Sequence, residues 1–331
     1  MSFQTSYESE HAQTEWNDRI VNRIVTTLPG ATEIVSLLGL EDELVGITHE
    51  CDYPPSVRKK PVVMRSVFDT AKMSNKEIDD SVLSHVTKGQ SIYKIEESLL
   101  DSLDPDLIIT QELCEVCATP WREVSKVMIN LKSKPKILSL SPHSLEDVLV
   151  NIIEVGRATG TLEKAKQISQ SLQARINDVK ERCMNSSKRP TVFCLEWLDP
   201  LYCSGHWMPQ LVEYAGGKEV LGRLGEPSSV IFWDKVVKSD PEVIFVTVCG
   251  YDVQRTLGEI STLTKRDGWD DLRAVKNDKI FVLDGQSYFS RSGPRLVDGL
   301  EIMAFLLHPE YFHGYKTPLL SAYSLAERRF V

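Results

Sequence analysis

No stretch of this sequence approaches the ~20 consecutive apolar residues that a bilayer-spanning helix needs, so membrane insertion is not expected. Positive charge is in deficit: 38 lysines and arginines face 47 aspartates and glutamates, a formal net charge of -9. Nucleic-acid binders usually carry a basic face, so DNA and RNA are not expected partners. Cysteine is sparse and odd in number, at seven, without the density of a disulfide-stapled scaffold. The first ten residues hold neither a cationic start nor an apolar run. No secretory signal is read there, and the expected setting is a reducing cytoplasm. Three signature loops are also missing: the Gly-x-Ser-x-Gly elbow, the Walker-type phosphate cradle and the Gly-x-Gly-x-x-Gly fingerprint.

What remains is an ordinary folded composition, 42% hydrophobic and 26% charged, over 331 residues. That length suits about two lobes rather than one core. Short apolar runs alternate with helical spacing. Strands are read at 23–28, 44–48, 61–63, 107–110 and 136–140, and again at 191–195, 242–248 and 279–283. Ser74 with Glu77 spells a capping box that starts a helix running to about Val86. A further helix is read from Pro120 to about Leu131. The stretch 144–183 holds no strand, and its spacing predicts one long helix, bent near Gly160, as a stiff connection.

The predicted organisation is a flexible lead over 1–19, an N-terminal α/β lobe over 20–143, the connecting helix over 144–183, a C-terminal α/β lobe over 184–308 and an extension over 309–331. The extension either wraps a lobe or makes an oligomer contact, and monomer and dimer are both open. The two lobes echo each other: Asp104-Pro105-Asp106-Leu107-Ile108 recurs as Asp240-Pro241-Glu242-Val243-Ile244, each leading into a strand. Alternating strands and helices imply parallel, Rossmann-like sheets, and such sheets bind ligands beyond the carboxyl ends of their strands.

Those strand ends nominate the candidate residues. His49, Glu50 and Cys51 follow the second strand, and Arg65 follows the short third. Cys114 and Cys117 follow the strand ending near Thr110, with Trp121 beyond them. His49, Cys51, Cys114 and Cys117 have the donor types zinc takes; small buried cysteines packing a loop are the reading preferred over metal. In the second lobe, Glu196, Trp197, Tyr202, His206 and Trp207 crowd one strand-end loop whose aromatics suit stacking on a flat ligand. Tyr251 follows the next strand and is expected to face the cleft. Arg291 is read as an anchor for amide oxygens, phosphate or carboxylate. Arg295 is read as structural, and Glu33 as a carboxylate at the positive end of a helix. For Trp121, core and cleft are both open; for Arg65, an anionic ligand group and a surface ion pair are both open.

Leu28-Pro29-Gly30-Ala31-Thr32-Glu33-Ile34, Leu37-Leu38-Gly39-Leu40 and Leu44-Val45-Gly46-Ile47-Thr48 resemble the opening of ABC-importer substrate-binding proteins of the vitamin B12 and iron-siderophore type. The likeness runs from about Arg23 to about His308 and takes in Gly216-Gly217 and Ser292-Gly293-Pro294-Arg295. The run from His49 through Asp52, Tyr53 and Pro54, with Cys114-Glu115-Val116-Cys117, is similar to a cobalamin-binding-like subgroup. The resemblance implies two α/β lobes on one rigid helix with the ligand cleft between them, and ligand contacts from the loop holding Tyr288, Phe289 and Arg291. It implies a non-catalytic protein that requires no cofactor and holds cobalamin, another corrinoid or another tetrapyrrole. A smaller aromatic metabolite is the alternative guest. A thiolate–imidazole enzyme built on Cys51 with His49 or Cys203 with His206, and a metal-binding protein, are the alternative functions.

Overall fold

The computed structural model describes residues 21–111, 127, 131–184 and 186–331. Cys114, Cys117, Trp121 and nearly all of the helix expected after Pro120 lie outside the described residues. The first lobe is built on a six-stranded sheet of order β4-β3-β2-β1-β5-β6. Its strands are β1 (Ile24–Thr26), β2 (Leu44–Thr48), β3 (Val62–Ser66), β4 (Tyr93–Ile95), β5 (Leu107–Thr110) and β6 (Lys136–Ser139). All pairs are parallel except the edge pair β3 and β4. Helix α1 (Pro29–Leu37) starts on a proline, which needs no amide partner there. Helix α2 (Asn75–Thr87) has the expected capping box, with the Ser74 hydroxyl accepting from the Glu77 amide and Glu77 from Ser74.

The second sheet runs β10-β8-β7-β11-β12-β13-β14, with β9 pairing β7. Its strands are β7 (Thr191–Leu198), β8 (Leu201–Cys203), β9 (Lys218–Glu219), β10 (Ser229–Val230), β11 (Val243–Val246), β12 (Ile280–Leu283), β13 (Ala322–Ser324) and β14 (Arg329–Phe330). The middle strands β7, β11 and β12 are parallel and almost wholly buried, as continuous apolar runs in parallel sheets are. The C-terminal extension supplies β13 and β14, so it completes this sheet by antiparallel pairing. Without it β12 would present a row of unpaired backbone groups at an edge.

The echo between the lobes has a physical basis. β5 pairs parallel with β1, and β11 pairs parallel with β7. In the first lobe Asp106 accepts from the backbone N–H groups of Asn22 and Arg23; in the second Glu242 accepts from the N–H of Thr191. Asp104 and Asp240 both adopt left-handed backbone, φ 44° and 41°, a conformation aspartate tolerates. The repeated motif thus ends a helix, enters a strand and ties down the start of the neighbouring strand.

The stretch 144–183 is two helices rather than one, Leu145–Ala158 and Leu162–Met184. The first ends in a Schellman-type turn: Gly160 has φ 71°, and the Thr161 N–H reaches the Gly156 carbonyl at 2.8 Å. The second is the long connector, 23 residues or about 34 Å. Lys164 near its start lies over Gly39 of the first lobe, while Cys183 at its end packs at Gly216 of the second. Midway, Arg175 is paired with Asp298 and Glu301 on the helix Leu296–Leu307. One apolar core runs continuously through α1, both connecting helices and Leu296–Leu307. A hinge filled this way resists large lobe motions.

Candidate functional site: the groove between the lobes

The loops at the carboxyl ends of β2 and β5 meet the loop after β12, and they meet as a clasp of charges. Buried Arg291 donates to the Asp52 carboxylate and, at 2.9 Å, to the Glu50 carbonyl. Gln286 Nε2 donates to Asp52 at 2.9 Å, and the Ser292 hydroxyl donates to Gln111 Oε1 at 3.4 Å. Arg295 donates to Glu33 Oε1 at 2.6 Å, and its guanidinium lies 4.2 Å from the Tyr53 ring centre and 5.6 Å from that of Tyr288. At Gly30 the backbones approach so closely that a Cβ would stand 2.4 Å from the Ser292 carbonyl oxygen. Burial raises the Glu33 pKa against the pull of Arg295 and Arg291. At Asp52 burial also acts upward, but the Arg291 bond and the charges of Arg291, Arg295 and Arg58 outweigh it and hold the carboxyl below its usual range.

The lobes meet a second time through an arm. β3 and β4 form the antiparallel edge of the first sheet, Ser66 opposite Tyr93, and the chain between them carries α2 out to the second lobe. There the buried Asn75 accepts through Oδ1 from the N–H groups of Leu198 (2.8 Å) and Asp199 (3.0 Å). Its own N–H donates to Glu259 at 2.8 Å. Arg255 donates to the carbonyls of Thr70 and Met73, and the Tyr202 hydroxyl to Asp79 at 3.4 Å.

The remaining candidates are partly or fully exposed. His49 accepts at Nε2 from the Ser66 N–H (3.3 Å), and its Nδ1 is 3.2 Å from the Thr48 hydroxyl. Glu50 and Tyr53 are exposed, Tyr288 is half-buried, and Arg65 stands exposed on β3 opposite Lys94. Trp197 packs edge-on against Tyr251, ring centres 5.7 Å apart, and its indole N–H is buried with no acceptor among the described residues. His206, at φ 50°, has its ring centre 6.4 Å from that of His143, and its Nδ1 is likewise buried without a partner. Burial and the neighbouring His143 lower its pKa. Glu196 accepts from the Ser228 hydroxyl at 2.5 Å.

Other candidates take up different places from those expected. Trp207 is core: its indole donates to the Phe289 carbonyl at 2.8 Å, and Phe289 itself is buried. Tyr251 is buried too, with its hydroxyl donating to Glu259 and Arg255 3.7 Å over its ring. Arg291 is spent on the clasp rather than held open for a ligand. Cys51 is buried, its Sγ 2.9 Å from the Thr32 hydroxyl, and burial pushes its thiol up to about 12. A thiol held that far protonated is a poor nucleophile and a poor metal donor. Cys203 contacts Ser229. Among the described residues neither thiolate–imidazole pair of the alternative enzyme reading is hydrogen-bonded, and no three His, Cys, Asp or Glu side chains converge as a metal site. Nothing in the sequence pattern gives an individual role to Asp52, Gln286, Asn75 or His143. Asn75 is hidden as an ordinary first residue behind a capping serine.

Two α/β lobes on a rigid connector, with strand-end loops facing each other across a groove, define a two-lobe solute-binding protein. The chain belongs to the periplasmic binding protein family, whose sequence profile matches residues 24–287. It is 27% identical over 297 residues to YvrC of Bacillus subtilis, an ABC transporter substrate-binding lipoprotein, covering 88% of this chain and 81% of that one. The periplasmic vitamin B12 binding protein BtuF of Vibrio cholerae has the same fold (TM-score 0.64, 21% identity, 88% of this chain and 98% of that one). So has a periplasmic heme binding protein from Pseudomonas aeruginosa (TM-score 0.67, 19% identity, 88% and 94%). These findings overturn the expectation of a cytoplasmic protein, because the matching family is that of periplasmic binding proteins and YvrC is a substrate-binding lipoprotein. Among the described residues no helix is long and apolar enough to cross a membrane.

Proposed function

We propose that the chain is a non-catalytic substrate-binding protein of the ABC importer type, and that its guest is a flat metal-centred ring, cobalamin or another tetrapyrrole. The observation that carries this reading is Trp197. It is half-buried near the carboxyl end of β7, and its buried N–H has no acceptor among the described residues, a need that a guest's amide or carboxylate oxygen would meet. Tyr202 and His206 from the second lobe, and His49, Glu50 and Tyr53 from the first, complete the proposed surface. Catalysis is disfavoured by the state of the thiols: Cys51 is protonated and turned into the core.

The test is a tryptophan-fluorescence titration with hydroxocobalamin and, separately, hemin. At least one is expected to quench saturably, and Trp197→Ala is expected to weaken that binding by roughly tenfold or more. No saturable binding of either compound, or full affinity in Trp197→Ala, overturns the assignment.

A further inference from the structure

We propose that the arm between β3 and β4, residues 67–92, is the gate of the groove, hinged where it leaves the β3–β4 edge of the first sheet and latched to the second lobe by Asn75. The proposal rests on the groove being the ligand site. Three observations carry it.

The arm is bound at its two ends and little between. At the base, β3 and β4 pair, and the Val67 N–H reaches the Ile92 carbonyl at 3.0 Å. At the tip, four sets of ties cross to the opposite lobe: Asn75 to Leu198 and Asp199, Glu259 to the Asn75 N–H, Arg255 to Thr70 and Met73, Tyr202 to Asp79.

The arm has almost no core of its own. Within α2 only Asn75 is buried, while Leu83 and Val86 are 62% and 42% exposed. Ile78 packs on an apolar core, and that core belongs to the second lobe, built around Phe193, Leu198 and Tyr251. A segment with few buried apolar contacts opens at far lower cost than the body that carries it.

The rest of the molecule is not built to open. The continuous core through the connector and the Asp52–Arg291 clasp hold the lobes together. With the lobes bridged at both the clasp and the arm, a bulky ring reaches the space between them most readily by releasing the arm. The latch consists of solvent-replaceable hydrogen bonds and one half-buried isoleucine, so release exchanges protein partners for water rather than breaking a core.

The experiment places nitroxide labels on non-natural residues at Leu83 of the arm and Asp270 of the second lobe, leaving the native cysteines untouched. Distances are read by double electron–electron resonance in the wild type, Asn75→Ala and Arg255→Ala. The wild type is expected to show one dominant distance. Each variant is expected to gain a second, longer population, its share raised about tenfold for Asn75→Ala, which loses two accepted bonds. Arg255→Ala removes a tie from the outside and serves if Asn75→Ala fails to fold. Association of hydroxocobalamin and hemin is followed by stopped flow, and whichever binds is expected to enter faster in the variants. A single unchanged distance in the folded variants overturns the inference, as does an open population that leaves the association rate unchanged. Should neither compound bind the wild type, the tetrapyrrole reading fails, and the distances alone decide whether the arm is latched.

Discussion

Trp197 lies at the end of β7 and Trp207 just beyond β8, and each has an indole N–H that must be satisfied or left costly in the interior. Trp207 satisfies its own on the Phe289 carbonyl and fills the shared core. Trp207→Ala is therefore expected to lower unfolding free energy by about 3–5 kcal/mol in denaturant titration. Trp197→Ala acts on binding instead, so the two substitutions separate a packing indole from a docking one. Composition alone shows two tryptophans near a histidine and a tyrosine. Which ring turns inward depends on a carbonyl 82 residues away. Cys51 teaches the same lesson: its place after a strand is legible, but its protonated, buried state depends on Thr32 and the core around it.

At the scale of elements, local chemistry was mostly readable. The Ser74–Glu77 box and the proline-led start of α1 are set by residues within one turn. The connector was less so, because helical periodicity passes through Gly156 and Gly160 without showing that the chain reverses there. The reversal lets the helices touch: a Cβ at Gly156 would lie 2.3 Å from the Ala165 Cβ. Gly156→Leu is expected to force the pair apart and destabilise the fold by about 1–3 kcal/mol, seen as a lower denaturation midpoint. The extension shows the opposite balance. Its sequence offers aromatic and basic residues without a partner, and only the buried edge of β12 explains why it becomes β13 and β14.

Across the whole molecule the clasp couples lobe geometry to charge. Asp52 has a native pKa below its unfolded value of 3.8, so the folded state binds its proton less readily than the unfolded chain. Its stabilisation is full above about pH 4 and is lost as pH falls through the lower native value. Glu33, raised above 4.5 by burial, has the opposite sign: its share is present below that value and lost as pH rises through the native one. Asp52→Asn is expected to leave a melt less sensitive to acid below pH 4 than the wild type's, while lowering stability at pH 7 because Arg291 loses its charged partner in a buried site. Melting temperatures recorded from pH 7 down to pH 3 check both. The sequence by itself determined the alternation of strands and helices, the two-lobe plan and the paired Asp-Pro turns, because those depend on propensities and caps acting over a few residues. The tertiary structure decided the rest: Arg291 on Asp52, 239 residues apart, and Asn75 on Leu198, 123 apart. Partners so distant are selected by the packing of whole elements, which no local pattern records.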